Sequence, residues 1–71
     1  MDIGTAIKEI RIKSLLSQND FANEIGVSFS TVNRWEKGHA TPNYKALKKL
    51  REFCHTNHID FDVDRLISEN K

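Results

Sequence analysis

The chain has 71 residues and a formal charge of only +1. A chain of this length buries one small core and is stable without staples mainly when it is helical and well packed, so a single domain over residues 1–71 is expected. Its one cysteine, Cys54, excludes an intrachain disulfide, no apolar run approaches membrane-spanning length, and no basic leader with a long apolar run precedes the domain; a soluble, cytoplasmic protein is the expectation.

The first helix is expected from about Asp2 to Ser14, with Ile3, Ile7 and Ile10 as its buried stripe and Lys8 and Lys13 in water. Ser17 can cap a second helix, in which Phe21, Ala22 and Ile25 fall on one face and Gly26 closes the run at a sharp turn. Val27 gives that turn an apolar anchor. Ser28 is a second cap, and Val32 and Trp35, three apart, form the inward stripe of a third helix. Phe29, Ser30, Asn33 and Arg34 then face outward until Gly38 ends the helix. Gly38 to Pro42 is the one real loop. Either Thr41, just before Pro42, or Asn43 can cap a fourth helix, which carries Leu47, Leu50, Phe53 and Cys54 inward and Lys45, Lys48, Lys49 and Arg51 largely outward. Asn57 and His58 mark its end. A fifth helix, about Asp62 to Glu69, would present Val63, Leu66 and Ile67 to the rest. No segment alternates like a strand, so the expected fold is all-α, a compact bundle of five short helices.

Charge is unevenly spread along the chain. Residues 1–51 hold nine Lys/Arg against five Asp/Glu, and residues 52–71 hold two against five, giving +4 and −3. A polyanion would be attracted to the first part and repelled by the tail. Asp60, Asp62 and Asp64 also suit a solvated helix start, which the helix dipole favours, and the two readings are compatible.

Ser17 to Gly38, reading SQNDFANEIGVSFSTVNRWEKG, describes two short helices joined by a three-residue corner, a device for placing a helix in a DNA groove. The chain resembles the lambda-repressor-like (Cro/XRE-type) helix-turn-helix family over about Ile3 to Leu50. The carriers are Ile3-Gly4, Ile10-Arg11, Ser17-Gln18, Phe21-Ala22, Gly26-Val27-Ser28, Thr31-Val32, Arg34-Trp35-Glu36, Gly38 and Pro42, all in register. The resemblance implies that the second helix of the motif enters the major groove and reads base edges, while the first lies across the backbone. Phe29, Ser30, Asn33 and Arg34 are the base-reading candidates. Arg34 suits guanine, since its fork can donate to O6 and N7 together. Ser30 donates or accepts and specifies weakly. Phe29 suits a thymine methyl or packs against helix 2.

Gln18, at the start of helix 2, can meet a phosphate. In resembling proteins this glutamine also steadies the first base-reading side chain; with Phe29 in that place the partner is missing, and only the phosphate role is carried over. Ser28, Thr31, Lys37, His39, Asn43, Tyr44 and Lys45 are further phosphate candidates, each equally compatible with plain solvated surface. Arg11 and Glu36 match a structural ion pair of the family, tying helix 1 to the end of the recognition helix. Leu15 departs from the family, which often has glycine there; a leucine with positive φ would be strained, which leaves that turn open to another geometry. Ile12 is expected to be exposed on helix 1.

Other chemistries find little support. Cys54 and His58 could share a helical face, but no second ligand pair is suitably spaced for zinc, and His55 and His58 also suit a helix C-terminus. No glycine loop cradles a phosphate and no nucleophile has an evident base, so neither an enzyme nor a cofactor is expected. Trp35 falls on the core stripe and is not a stacking residue. The resulting expectation is sequence-specific binding of double-stranded DNA by a repressor-like transcriptional regulator, acting as a homodimer on a palindromic operator. The alternative is a protein-interaction module, such as an antitoxin-like partner, or a DNA-targeting domain of a larger restriction/modification-type or other complex. It draws on the 59–71 segment, where Ile59, Phe61, Val63, Leu66 and Ile67 would serve dimerisation, a protein partner or simple core closure.

Overall fold

A small polar residue opens every helix of the described chain, which in this computed structural model comprises residues 2–59. The helices are α1 (Ile3–Lys13), α2 (Gln18–Ile25), α3 (Phe29–Glu36) and α4 (Tyr44–Thr56). Asp2, Ser17, Ser28 and Asn43 accept the backbone N–H of Thr5, Asp20, Thr31 and Ala46 at 2.8, 3.0, 3.1 and 2.8 Å. Each such cap satisfies a donor that the helix itself cannot pair, and contributes about 1 kcal/mol. At Asp2 the Thr5 N–H favours the charged carboxylate and lowers its pKa below the ordinary value.

The four C-termini also share one solution. The N–H groups of Leu16, Val27, His39 and Ile59 donate back to the carbonyls of Arg11, Ala22, Arg34 and Cys54 at 3.3, 2.9, 2.9 and 2.9 Å. The residue before each of these donors has positive φ: Leu15 (58°), Gly26 (81°), Gly38 (77°) and His58 (55°). This is the six-to-one closure in which a left-handed residue turns the chain away from the helix axis. Two of the four positions carry glycine, which adopts it freely; Leu15 and His58 adopt it with a Cβ present. Leu15 therefore keeps the turn that its side chain disfavours.

The apolar stripes meet in one core. Ile3, Ala6, Ile7 and Ile10 of α1, Phe21, Ala22 and Ile25 of α2, Val32 and Trp35 of α3, and Ala46, Leu47, Leu50, Phe53 and Cys54 of α4 are all buried. Phe21 and Phe53 meet edge to face, centroids 5.2 Å apart at 88°, which joins α2 to α4. Leu16, Val27, Ala40 and Ile59 pack around the margin. The backbones of α1 and α3 come close enough that a Cβ on Gly4 would overlap the Trp35 carbonyl oxygen. Glycine at position 4 thus sets how near α1 lies to the end of α3.

Several expectations need correction. Helix 1 runs Ile3–Lys13, with Asp2 and Ser14 as its caps and not within it. Asn43, and not Thr41, caps α4, because Asn43 places its amide oxygen on the Ala46 N–H while Pro42 is buried outside the helix. Against five expected helices, the described residues form four. The fifth, expected over 62–69, lies outside them, as does the 59–71 segment beyond Ile59.

Candidate nucleic-acid interface

The apolar corner of α2, Gly26-Val27 and α3 leaves one side of α3 uncovered. Val32 and Trp35 point into the core, so Phe29, Ser30 and Arg34 are exposed and Asn33 is half-buried beside them. Phe29 is 48 % exposed, so about half of its surface is open to solvent. Eight residues at about 1.5 Å each make α3 roughly 12 Å long, close to the width of a B-DNA major groove.

Behind that face runs a chain of polar contacts. Arg11 donates from Nε to Glu36 Oε2 at 2.7 Å and from Nη2 to Glu36 Oε1 at 3.0 Å, while its Nη1 donates to the Leu16 carbonyl at 3.0 Å. One guanidinium therefore ties α1, the turn into α2 and the end of α3. The side chains of Arg11 and Glu36 are only 15 % and 5 % exposed, so water screens the pair little, and the Glu36 carboxylate holds the Arg11 pKa above its ordinary value. Gln18 Nε2 donates to the same Glu36 Oε1 at 3.0 Å, and Asn33 Nδ2 donates to Gln18 Oε1 at 3.1 Å. The glutamine does have a hydrogen-bonding partner on the outward face of α3. That partner is Asn33, one helical turn beyond Phe29, and the expectation that Gln18 would lack one is overturned.

The phosphate candidates flank α3. Ser28 and Thr31 share a hydroxyl–hydroxyl contact of 2.8 Å, and Ser28 Oγ also caps the helix. One hydroxyl hydrogen satisfies the pair and the other is left for an outside acceptor. On the far side, Lys37, His39, Asn43, Tyr44 and Lys45 are exposed in the loop after α3 and the first turn of α4. Asn43 spends its amide oxygen on the cap, so its N–H groups are what it can offer. Lys49, placed outward by the sequence but not among the phosphate candidates, joins Lys45, Thr31, Thr41 and Asn43 around an open groove of about 420 Å³ floored by Trp35 and Ala46. The 45/49 spacing on one helix was its available signal. Among the described residues no group of three or more His, Cys, Asp or Glu side chains could hold a metal ion. No helix among them is long and apolar enough to cross a membrane.

An all-α corner of two short helices, the second exposed and flanked by basic and hydroxyl side chains, defines a helix-turn-helix protein. Residues 7–61 match the sequence profile of the helix-turn-helix family, and the chain belongs to that family in its Cro-type form. Multiprotein-bridging factor 1 of Debaryomyces hansenii is 38% identical over 50 residues, which are 70% of this chain and 33% of that protein. The HTH-type transcriptional activator BcrR of Enterococcus faecalis is 26% identical over 68 residues, 96% of this chain and 31% of that protein. The chain spans about a third of the length of both relatives. No solved structure gives a significant match.

Proposed function

We propose that this chain is the sequence-specific DNA-reading domain of a transcriptional regulator, laying α3 in the major groove of double-stranded DNA. The observation that carries the reading is the outward face of α3: Phe29, Ser30 and Arg34 exposed and Asn33 half-buried beside them, with the start of α2 on one side and the Lys37–Lys45 segment on the other. Arg34 reads guanine through its fork, Ser30 adds a weakly specifying hydroxyl, and Phe29 lies against a thymine methyl. Gln18 through its remaining N–H, with Ser28, Thr31, Lys37, His39, Asn43, Tyr44 and Lys45, holds the phosphates. The activator relative supports a role in transcription.

Two copies on a palindrome, half-sites about 34 Å apart, complete the reading. A homodimer assembled on DNA fits this spacing. Selection of sites from a random duplex library at two salt concentrations tests the proposal. Enrichment of a short palindrome whose binding weakens steeply with salt supports it; no enrichment from the library refutes it. Arg34→Ala should reduce preference at one base pair per half-site, while Lys45→Ala should weaken all sequences alike and flatten the salt dependence by about one unit of slope.

A second reading, protein bridging, is favoured by one observation. Leu15 is 92 % exposed and Ile12 52 % exposed at the end of α1 and the turn after it, and one relative is named a multiprotein-bridging factor. Binding to an apolar partner there would persist at high salt, which separates it from DNA binding.

A further inference from the structure

We propose that the open groove between the α2–α3 corner and α4 binds a small phosphate monoester carrying a flat apolar ring, with Lys45 and Lys49 on the phosphate and Trp35 beneath the ring. The groove's volume, about 420 Å³, falls in the range of ligand pockets, roughly 300–1,000 Å³. Its occupant is a small molecule, and the site does not require α3 to enter DNA. Lys45 and Lys49 lie one helical turn apart on α4, and neither makes a hydrogen bond or ion pair among the described residues. Like charges at that spacing repel, and none of the residues lining the groove is acidic, so an anion between the two ammonium groups relieves the repulsion. The Lys49 ammonium lies 3.5 Å from where a Cβ on Gly26 would stand, which brings it against the α2–α3 corner on the opposite wall.

Other donors border the same space. With Ser28 Oγ donating to Thr31 across their 2.8 Å contact, the Thr31 hydroxyl hydrogen is left for the groove. Asn43 caps α4 and lines the groove, so the positive end of a thirteen-residue helix borders it, with the first-turn N–H groups that a helix leaves unpaired. A phosphate monoester dianion matches two ammonium groups in charge, and its three oxygens accept from several donors at once. Below these donors the floor is apolar, formed by Val27, Trp35 and Ala46. A bare phosphate leaves that floor in water, whereas an attached ring covers it. Thr31, Asn43 and Lys45 are also among the residues proposed to hold DNA phosphates. On that reading the ligand and the DNA backbone exclude one another, and the ligand is an effector that releases DNA.

Proton–nitrogen NMR titration of the full chain with phenyl phosphate tests the site without DNA. Saturable shifts should appear at the Trp35 indole N–H and at Thr31, Asn43 and Ala46. Inorganic phosphate should bind about fivefold or more weakly, because it leaves the floor uncovered, and benzyl alcohol, which lacks the charge, should not saturate. Lys45→Gln and Lys49→Gln should each weaken phenyl phosphate about threefold and together about tenfold, as for an exposed ion pair. Lys48→Gln removes the same charge from α4 but lies outside the groove, and should change binding by much less. All four side chains exchanged in these variants are exposed or control positions on one helix, and unchanged signals from the core show that each variant is folded. No saturation, or shifts elsewhere on the molecule, overturns the proposal. An equal loss in Lys48→Gln overturns it too, since net charge alone would then attract the anion. Inorganic phosphate binding as tightly as phenyl phosphate overturns the ring-bearing ligand and leaves a seat for a bare phosphate such as that of the DNA backbone. A selected duplex that stays bound under saturating phenyl phosphate overturns the role as effector; a chain that selects no duplex overturns the DNA reading, while the titration still decides the site.

Discussion

Leu15→Gly should make the protein more stable, although it removes a leucine. At φ 58° Leu15 lies in the left-handed region, where an L side chain costs roughly 1–2 kcal/mol. Its side chain is 92 % exposed, so truncation forfeits almost no packing within the chain. Glycine loosens the unfolded state, which takes back about 0.4–1 kcal/mol. The balance is a gain of about 0.5–1 kcal/mol, or roughly 3–6 °C in melting temperature for a domain of this size. Leu15→Ala separates the causes, because alanine retains the Cβ and with it the strain; it should change stability by less than about 0.5 kcal/mol. Urea and thermal unfolding followed by circular dichroism, at two protein concentrations, measure both variants. A Leu15→Gly variant less stable than wild type would refute the reasoning. Such a loss, growing with protein concentration, would mean that Leu15 is covered in an assembly.

Three further substitutions probe the packing and the polar chain. Gly4→Ala should destabilise by about 1–2 kcal/mol in urea melts, because overlap with the Trp35 carbonyl outweighs the roughly 1 kcal/mol that alanine gains in helix propensity; a stabilised variant would show that α1 can move away from α3 at little cost. Glu36→Ala should cost about 3 kcal/mol, since it strands the Arg11 charge against a protein surface that water reaches poorly. In a double-mutant cycle, Arg11→Met should then add much less than it does alone, and strict additivity would mean that the pair is not coupled. Burial pushes the Cys54 thiol above its ordinary pKa, so less thiolate is present at a given pH than for a free cysteine. Labelling by a thiol reagent at pH 8 should therefore be slow in the folded protein and fast in urea, and free-thiol rates without denaturant would contradict the burial.

Local rules carried the fold. The capping residues Ser17 and Ser28, the stripes Ile3/Ile7/Ile10 and Val32/Trp35, and the closing glycines Gly26 and Gly38 each report on neighbours within one or two turns, so their roles are readable from spacing. Ala6 and Ala46 escaped because a buried alanine leaves little apolar signal. The choice between Thr41 and Asn43 stayed open because either side chain can cap, and it is the burial of Pro42 outside the helix that gives the cap to Asn43. Gly4 escaped for another reason: its role depends on the Trp35 carbonyl, thirty-one positions away along the chain and adjacent only once α1 lies on α3. Leu15 looked like grounds for a different turn, yet the other three helices close in the same way. A strain of about 1–2 kcal/mol is small beside the packing that fixes where α2 must begin.

The face of α3 follows the same division. That Phe29, Ser30, Asn33 and Arg34 share it is a consequence of helical periodicity and was legible. That Asn33 is tied to Gln18 was not, because the two are fifteen residues apart and meet only through the angle between α2 and α3. The consequence reaches past geometry. Arg11 and Glu36 hold α1 to α3 and therefore contribute to stability, but Glu36 also dictates which end of Gln18 faces Asn33. Glu36→Gln isolates the second role, since a neutral amide can still accept from Arg11 yet can offer Gln18 either its oxygen or its N–H. With the direction of the chain no longer imposed, the Asn33 amide should sample both orientations, and its side-chain signals in a proton–nitrogen NMR spectrum should shift while those of Asn57 stay in place. Unmoved Asn33 signals would mean that the carboxylate serves the contact between α1 and α3 alone.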